Sequence, residues 1–174
     1  MPVFELKSQK EIDENYQGIN ISEFTYVNSD NISEENLIVS FIHSKSFAED
    51  SRREIIKNDT ANRPFLRQAF EINLVSISDF KQLDKNGIKK FLDDYAEADD
   101  WGEDGNDFIK IKDGFIELLK GVESNYFYLL SKEWFEETDE KLREPENWIY
   151  TYYFLIIWID KANKILTVSE WTYD

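Results

Sequence analysis

Apolar positions follow two rhythms along this chain, and the change from one to the other marks out its elements. In the first third, Val3–Leu6 is a short apolar segment and Ile19–Val27 alternates in part. Leu37–His43 is a continuous apolar run, and all three predict strands, the last an interior one. Ser46-Phe47-Ala48-Glu49 has the S-x-x-E spacing of a capping box and predicts a polar helix reaching about Asn58. Asp59–Pro64 reads as a loop. In Phe65–Ile77, Phe70, Ile72 and Leu74 alternate with Glu71 and Asn73, which predicts a strand exposed on one side.

The rhythm then becomes helical. Ile88, Phe91, Leu92, Tyr95 and Ala96 form one apolar stripe, with Lys89, Lys90, Asp93, Asp94 and Glu97 on the other face. A loop from Asp99 to Asp107 with two glycines leads to Phe108–Lys112. A second short helix is expected over Asp113–Val122, carrying Phe115, Ile116 and Leu119. Tyr126–Leu130 reads either as a strand, which its aromatic content favours, or as an extension of that helix, and Glu133–Asn147, acidic and containing Pro145, reads as surface helix and loop.

The strongest signal is the last. Trp148–Ile159 is aromatic and β-branched, Asp160-Lys161-Ala162-Asn163 is a turn, and Lys164–Tyr173 is the partner strand. Tyr150, Tyr152, Phe154, Ile156 and Trp158 fall on one face; Ile149, Tyr153, Leu155, Ile157 and Ile159 fall on the other. A strand apolar on both faces is central and covered twice. The pattern predicts one α+β domain over residues 1–174, with a mainly antiparallel sheet, two to four helices and a C-terminal β-hairpin. Left uncovered, the aromatic hairpin would offer a surface for pairing two copies as a homodimer.

Composition adds a charge to this frame. Among 174 residues, 36 acids against 20 bases give a net charge of -16. Residues 1–87 contribute 15 acids and 10 bases, residues 88–174 contribute 21 and 10, so the second half carries most of the excess. Such a chain repels nucleic acid and anionic membranes and attracts basic proteins. With 41% hydrophobic and 16% aromatic residues it has the material for a core, unlike a disordered acidic tail. No cysteine is present, which excludes disulfides and thiolate chemistry. Met1–Lys7 lacks the features of a signal peptide, and Tyr152–Ile159 is too short for a membrane span, so a cytoplasmic location is expected.

Candidate chemistry narrows by elimination. The one histidine, His43, reads as a strand-end residue with an ordinary hydrogen-bond partner; with no cysteine it cannot complete a zinc shell. No phosphate-cradling glycine motif occurs. Asp93–Asp107 holds Asp93, Asp94, Glu97, Asp99, Asp100, Glu103, Asp104 and Asp107, with no lysine or arginine between Lys90 and Lys110. As a calcium loop with Gly105 in sixth place it fails at Gly102 and Ile111, where carboxylates are required. Paired-carboxylate catalysis needs two acids across a cleft, which adjacency on a loop does not imply. Neither an enzyme nor a cofactor or metal is therefore expected. Acids interleaved with aromatics suit an interface to a partner rich in lysine and arginine. Trp101 lies inside the acidic loop, and Trp134 and Phe135 sit among Glu133, Glu136 and Glu137. Trp148, Trp158 and Trp171 are expected in the core, whereas Trp101 fits core and interface equally.

With Asp93–Asp107 around Trp101, Glu133–Glu140 around Trp134, and the aromatic hairpin Trp148–Tyr173, the chain resembles the immunity proteins of bacterial polymorphic-toxin and contact-dependent growth inhibition systems. The resemblance is one of character across the whole chain. It implies a stoichiometric inhibitor of a cognate toxin domain, basic and nuclease-like because its substrate is a polyanion. The alternatives are a nucleic-acid mimic, whose carboxylates should be spaced like phosphates, and another acidic protein-binding module.

Overall fold

Six antiparallel strands, in the order β1–β2–β8–β7–β6–β5, form the main sheet of the described residues. They are β1 (Val3–Glu14), β2 (Gln17–Val27), β5 (Lys81–Leu83), β6 (Phe127–Ser131), β7 (Tyr152–Asp160) and β8 (Ile165–Tyr173). Two-residue strands β3 (Phe65–Leu66) and β4 (Phe70–Glu71) pair separately. Among the described residues four helices accompany them: α1 (Glu34–Ile42), α2 (Lys45–Ala48), α3 (Lys85–Glu97) and α4 (Gly105–Leu119). The computed structural model describes residues 2–27, 32–48, 65–66, 69–71, 74–98, 101–142 and 152–173. The chain is an α+β protein with an antiparallel sheet and a C-terminal hairpin, as its pattern predicts.

The hairpin of β7 and β8 lies at the centre of the sheet, and helices cover both faces. Tyr153, Leu155, Ile157 and Ile159 pack with Phe24, Leu166 and Val168 against Leu37, Ile38, Phe41 and Ile42 of α1. On the other face Tyr152, Phe154, Ile156 and Trp158 pack with Ile19, Ile21 and Trp171 against α3 and α4. Trp158 and Trp171 are buried, as expected, while Trp148 lies outside the described residues. Burial on both faces removes the hairpin as a pairing surface for two copies. No described helix is long and apolar enough to cross a membrane.

Several expectations are corrected. Leu37–His43 belongs to α1, not to a strand. Its buried residues Leu37, Ile38, Phe41 and Ile42 recur with helical spacing, and Ser33 caps the helix by accepting from the Asn36 N–H at 3.2 Å. A short apolar run fits a buried helix as well as a strand, and here the cap decides. His43 accordingly ends a helix and is exposed. In α2 the capping side chain is Ser44, not Ser46, whose hydroxyl donates to the Phe4 carbonyl at 2.6 Å. Residues 49–64, including the rest of the expected polar helix and its loop, lie outside the described residues. Of the strand expected over Phe65–Ile77, the described residues hold the short strands β3 and β4, Leu74 lies in a turn and Ile77 opens a 3-10 turn over Ile77–Asp79, while residues 67–68 and 72–73 lie outside the described residues. Phe108–Lys112 and the helix after it are one helix, α4, because Phe108, Ile111, Phe115 and Leu119 form a single buried stripe. Glu133–Asn147 holds a 3-10 turn over Lys132–Trp134, and residues 143–147 lie outside the described residues.

The sheet edges are guarded. At one edge β5 has three residues. At the other, the register of β1 shifts between Leu6 and Ser8, so Lys7 is an extra residue, and Lys10 follows on the same strand. A bulge and lysines on an edge strand discourage pairing with another chain.

Candidate protein-binding face

Among the described residues, the acids singled out from sequence fall on α3, on the 3-10 turn before α4, at the start of α4 and after the 3-10 turn that follows β6. Asp84 starts α3 by accepting from the Gly87 N–H at 2.7 Å, and buried Ile88 and Leu92 fix its inner face. The outer face carries Asp93, Asp94 and Glu97. Asp94 pairs with Lys90 at 2.6 Å, one turn back. Asp93 accepts from Lys89 and, at 2.7 Å, from Lys112 of α4. Bonds from Lys112 first and Lys89 second hold the Asp93 carboxyl below the ordinary aspartate range.

At the start of α4, Asp107 accepts from the Asn15 amide and pairs with Lys110 at 3.3 Å, and both contacts lower its pKa. Asp104 accepts from the Tyr173 hydroxyl, which raises the tyrosine's pKa, and its carbonyl accepts from Gln17 Nε2 at 2.8 Å. The cluster is thus less bare than its sequence suggests: α4 and the preceding turn of α3 bring lysines to it. Glu97 is exposed. Glu103 lies in a 3-10 turn over Gly102–Asp104, and Asp99 and Asp100 are outside the described residues.

Trp101 is half-buried beneath this cluster. Its ring stacks on Phe108 (4.9 Å between centroids, 26°) and on Tyr173 (6.2 Å, 25°), and meets Tyr95 and Tyr152 edge-on at 5.6 Å. Its Nε1 donates to the Tyr95 carbonyl at 3.0 Å. Two glycines permit this seat. Gly102 turns the chain at a φ of +56°, and a Cβ on Gly105 would come within 3.0 Å of the Trp101 Cβ.

The second cluster abuts the first. Ser131 starts its 3-10 turn by accepting from the Glu133 N–H at 3.4 Å. Trp134 is half-buried against Phe91 (6.3 Å), with Lys81 Nζ 3.8 Å from its ring centroid. Tyr95 bridges the clusters, its hydroxyl donating to Glu133 Oε1 at 2.8 Å. Burial, then the Glu133 charge, drives the Tyr95 pKa well above the usual phenol range. Burial depresses the Lys132 ammonium, with Glu133 and Glu137 opposing. Glu136 and Glu137 are exposed on the following turn.

Tyr95, Tyr173, Asn15 and Gln17 were not singled out from sequence as members of this face. Tyr95 sits in the apolar stripe of α3, and the others arrive only through the β2–β8 register, which sets Gln17 opposite Tyr173. Among the described residues no three His, Cys, Asp or Glu side chains converge to hold a metal ion. The arrangement is one of carboxylates and half-buried rings joined by hydrogen bonds. No family model matches the chain, and comparison with curated proteins and with solved structures finds no match.

Proposed function

We propose that this protein is a stoichiometric inhibitor that binds and neutralises a basic protein partner, as an immunity protein neutralises its cognate nuclease-type toxin. The observation that carries the reading is the Tyr95–Glu133 bond, which joins two acid-and-aromatic clusters 38 residues apart in sequence into one face. Half-buried Trp101 and Trp134 supply ring area there, and exposed Glu97, Glu136 and Glu137 supply charge for steering. A nucleic-acid mimic fits less well, since among the described residues Asp93, Asp94 and Asp107 are already paired with lysines.

The test is to express the protein domain encoded immediately upstream with and without this chain, score growth, and measure binding of the purified pair. Toxicity relieved by this chain, together with a tight and salt-sensitive complex, is the expected result. A harmless neighbour, or a toxic one that this chain neither binds nor rescues, removes the inhibitor reading.

A further inference from the structure

We infer that Asn86 is a latent deamidation site: its side-chain amide cyclises onto the Gly87 nitrogen when the first turn of α3 opens, and the Asp84 cap holds that turn closed. The modification needs no partner and is independent of the inhibitor reading. An Asn-Gly step occurs once in the chain, at Asn86-Gly87. Glycine leaves its backbone nitrogen unhindered by a side chain and its φ free, so this step closes into a ring more easily than others.

The fold needs that glycine. Gly87 lies where the end of β5 turns into α3, and a Cβ there would come within 3.1 Å of Leu83 Cβ and 3.3 Å of Asp84 Oδ1. Asn86 beside it is exposed. It borders an open cleft of 280 Å³ between the start of α3 and residues 122–125, so water reaches its amide.

The reaction is a ring closure followed by hydrolysis. The Gly87 nitrogen gives up its proton and bonds to Asn86 Cγ; the bond from Cγ to Nδ2 breaks, and ammonia leaves with the proton. One water then opens the succinimide at either carbonyl, leaving an aspartate or an isoaspartate in place of Asn86. Aspartate adds a negative charge to the first turn, where the helix dipole favours it. Isoaspartate adds a methylene to the backbone and shifts the register of the turn, so the Asp84 carboxylate no longer meets the Gly87 N–H.

The closed turn opposes the first step twice. Asn86 is the second residue of α3, and closure of the five-membered ring needs a ψ outside the helical range. The nitrogen that must attack is also held by the cap, since the Gly87 N–H donates to Asp84 Oδ1 at 2.7 Å. Two further bonds close the turn among the described residues. The Ile88 N–H donates to the Asp84 carbonyl at 3.0 Å, and the Lys85 ammonium donates to the Val122 carbonyl. A first turn that follows a three-residue edge strand opens more readily than the core does.

The test incubates the whole protein and its variants in mildly alkaline buffer and follows deamidation at position 86 by peptide mass spectrometry, with isoaspartate read by enzymatic methylation. Exchange of the Gly87 amide hydrogen is measured alongside by NMR. The parent should deamidate many-fold more slowly than an unstructured synthetic peptide of the same local sequence. Asp84→Ala should raise deamidation and exchange together, several-fold, and Asp84→Ser, which keeps a capping oxygen, should return both toward the parent. Trp101→Ala, which destabilises the protein at the far end of α3, should leave both unchanged. A parent that deamidates as fast as the peptide, or an Asp84→Ala protein no faster than the parent, overturns the protection by the cap. Deamidation that rises in Trp101→Ala as much as in Asp84→Ala overturns the local opening and assigns the reaction to global unfolding.

Discussion

The Tyr95 hydroxyl donates to Glu133 Oε1 at 2.8 Å, and through it helix α3 and the turn after β6 form one surface. The ring of Tyr95 also contacts Trp101, Phe108, Tyr152 and Phe154, so the residue belongs at once to the core and to the face. Tyr95→Phe keeps the ring and deletes the bond. Loss of one such bond costs ~0.5–1.5 kcal/mol, measurable by urea denaturation of the free protein. If the bond presents Glu133 to the partner, the same variant dissociates faster from the complex, by several-fold or more. An unchanged dissociation rate would restrict the bond to a structural role.

Trp101 is the more severe test of the same neighbourhood. Its stacking on Phe108 and its bond to the Tyr95 carbonyl make it a cover for the aromatic cluster. Trp101→Ala is expected to destabilise the free protein by about 3 kcal/mol, the low end for deleting a large ring because this one is half exposed. Trp101→Phe should recover part of that loss. A near-neutral alanine variant would mean that the ring is poised in solvent for a partner.

How far the sequence carried these conclusions differs by element. Helix α3 was legible because its apolar stripe keeps one period over 13 residues, and the β7–β8 hairpin because two aromatic and β-branched runs flank a turn. The run at Leu37 satisfied strand and helix alike, and the deciding cap, Ser33, stands outside it. Gly102 and Gly105 read as loop signals and hid the start of α4, although Gly105 serves to let Trp101 approach the helix. Within the face, residue types were legible and pairings were not. Lys112 reaches Asp93 across 19 residues and Asn15 reaches Asp107 across 92, distances that only helix packing and strand register close. The acids therefore looked more repulsive in sequence than they are in the fold.

A third prediction concerns acid. Asp79 accepts from Lys141 at 2.5 Å and from the Ser76 N–H at 2.8 Å, and fastens the turn before β5 to the segment that follows Glu136 and Glu137. Burial raises its pKa, but the bonds from Lys141 and Ser76 outweigh this and the net shift is downward. A carboxylate whose folded pKa is depressed stabilises fully above its unfolded value, about 3.9, and loses that contribution as pH falls through the folded value. Asp93 is depressed in the same direction. Stability should therefore fall below about pH 4. Asp79→Asn should cost about 2 kcal/mol at neutral pH and converge with the parent as pH falls through the folded value of Asp79, as read from denaturation at each pH. Parallel curves would assign the loss to packing and not to charge.

The last prediction separates paired from unpaired acids. Asp94 is held by Lys90, so neutralising it removes a charge whose field is already largely cancelled. Glu97, Glu136 and Glu137 are exposed and form no ion pair among the described residues, so their fields reach further into solvent. If the face steers a basic partner, Glu97→Gln, Glu136→Gln and Glu137→Gln together should slow association roughly tenfold at low salt, with little change in dissociation. The difference should shrink as ionic strength rises and the Debye length falls below about 10 Å. Asp94→Asn should change the association rate by less than about twofold, given how little exposed pairs contribute. Stopped-flow binding across a salt series decides between them. Equal slowing by the single and the triple variant would mean that total charge attracts the partner. Selective slowing by the triple variant would locate the approach on this face.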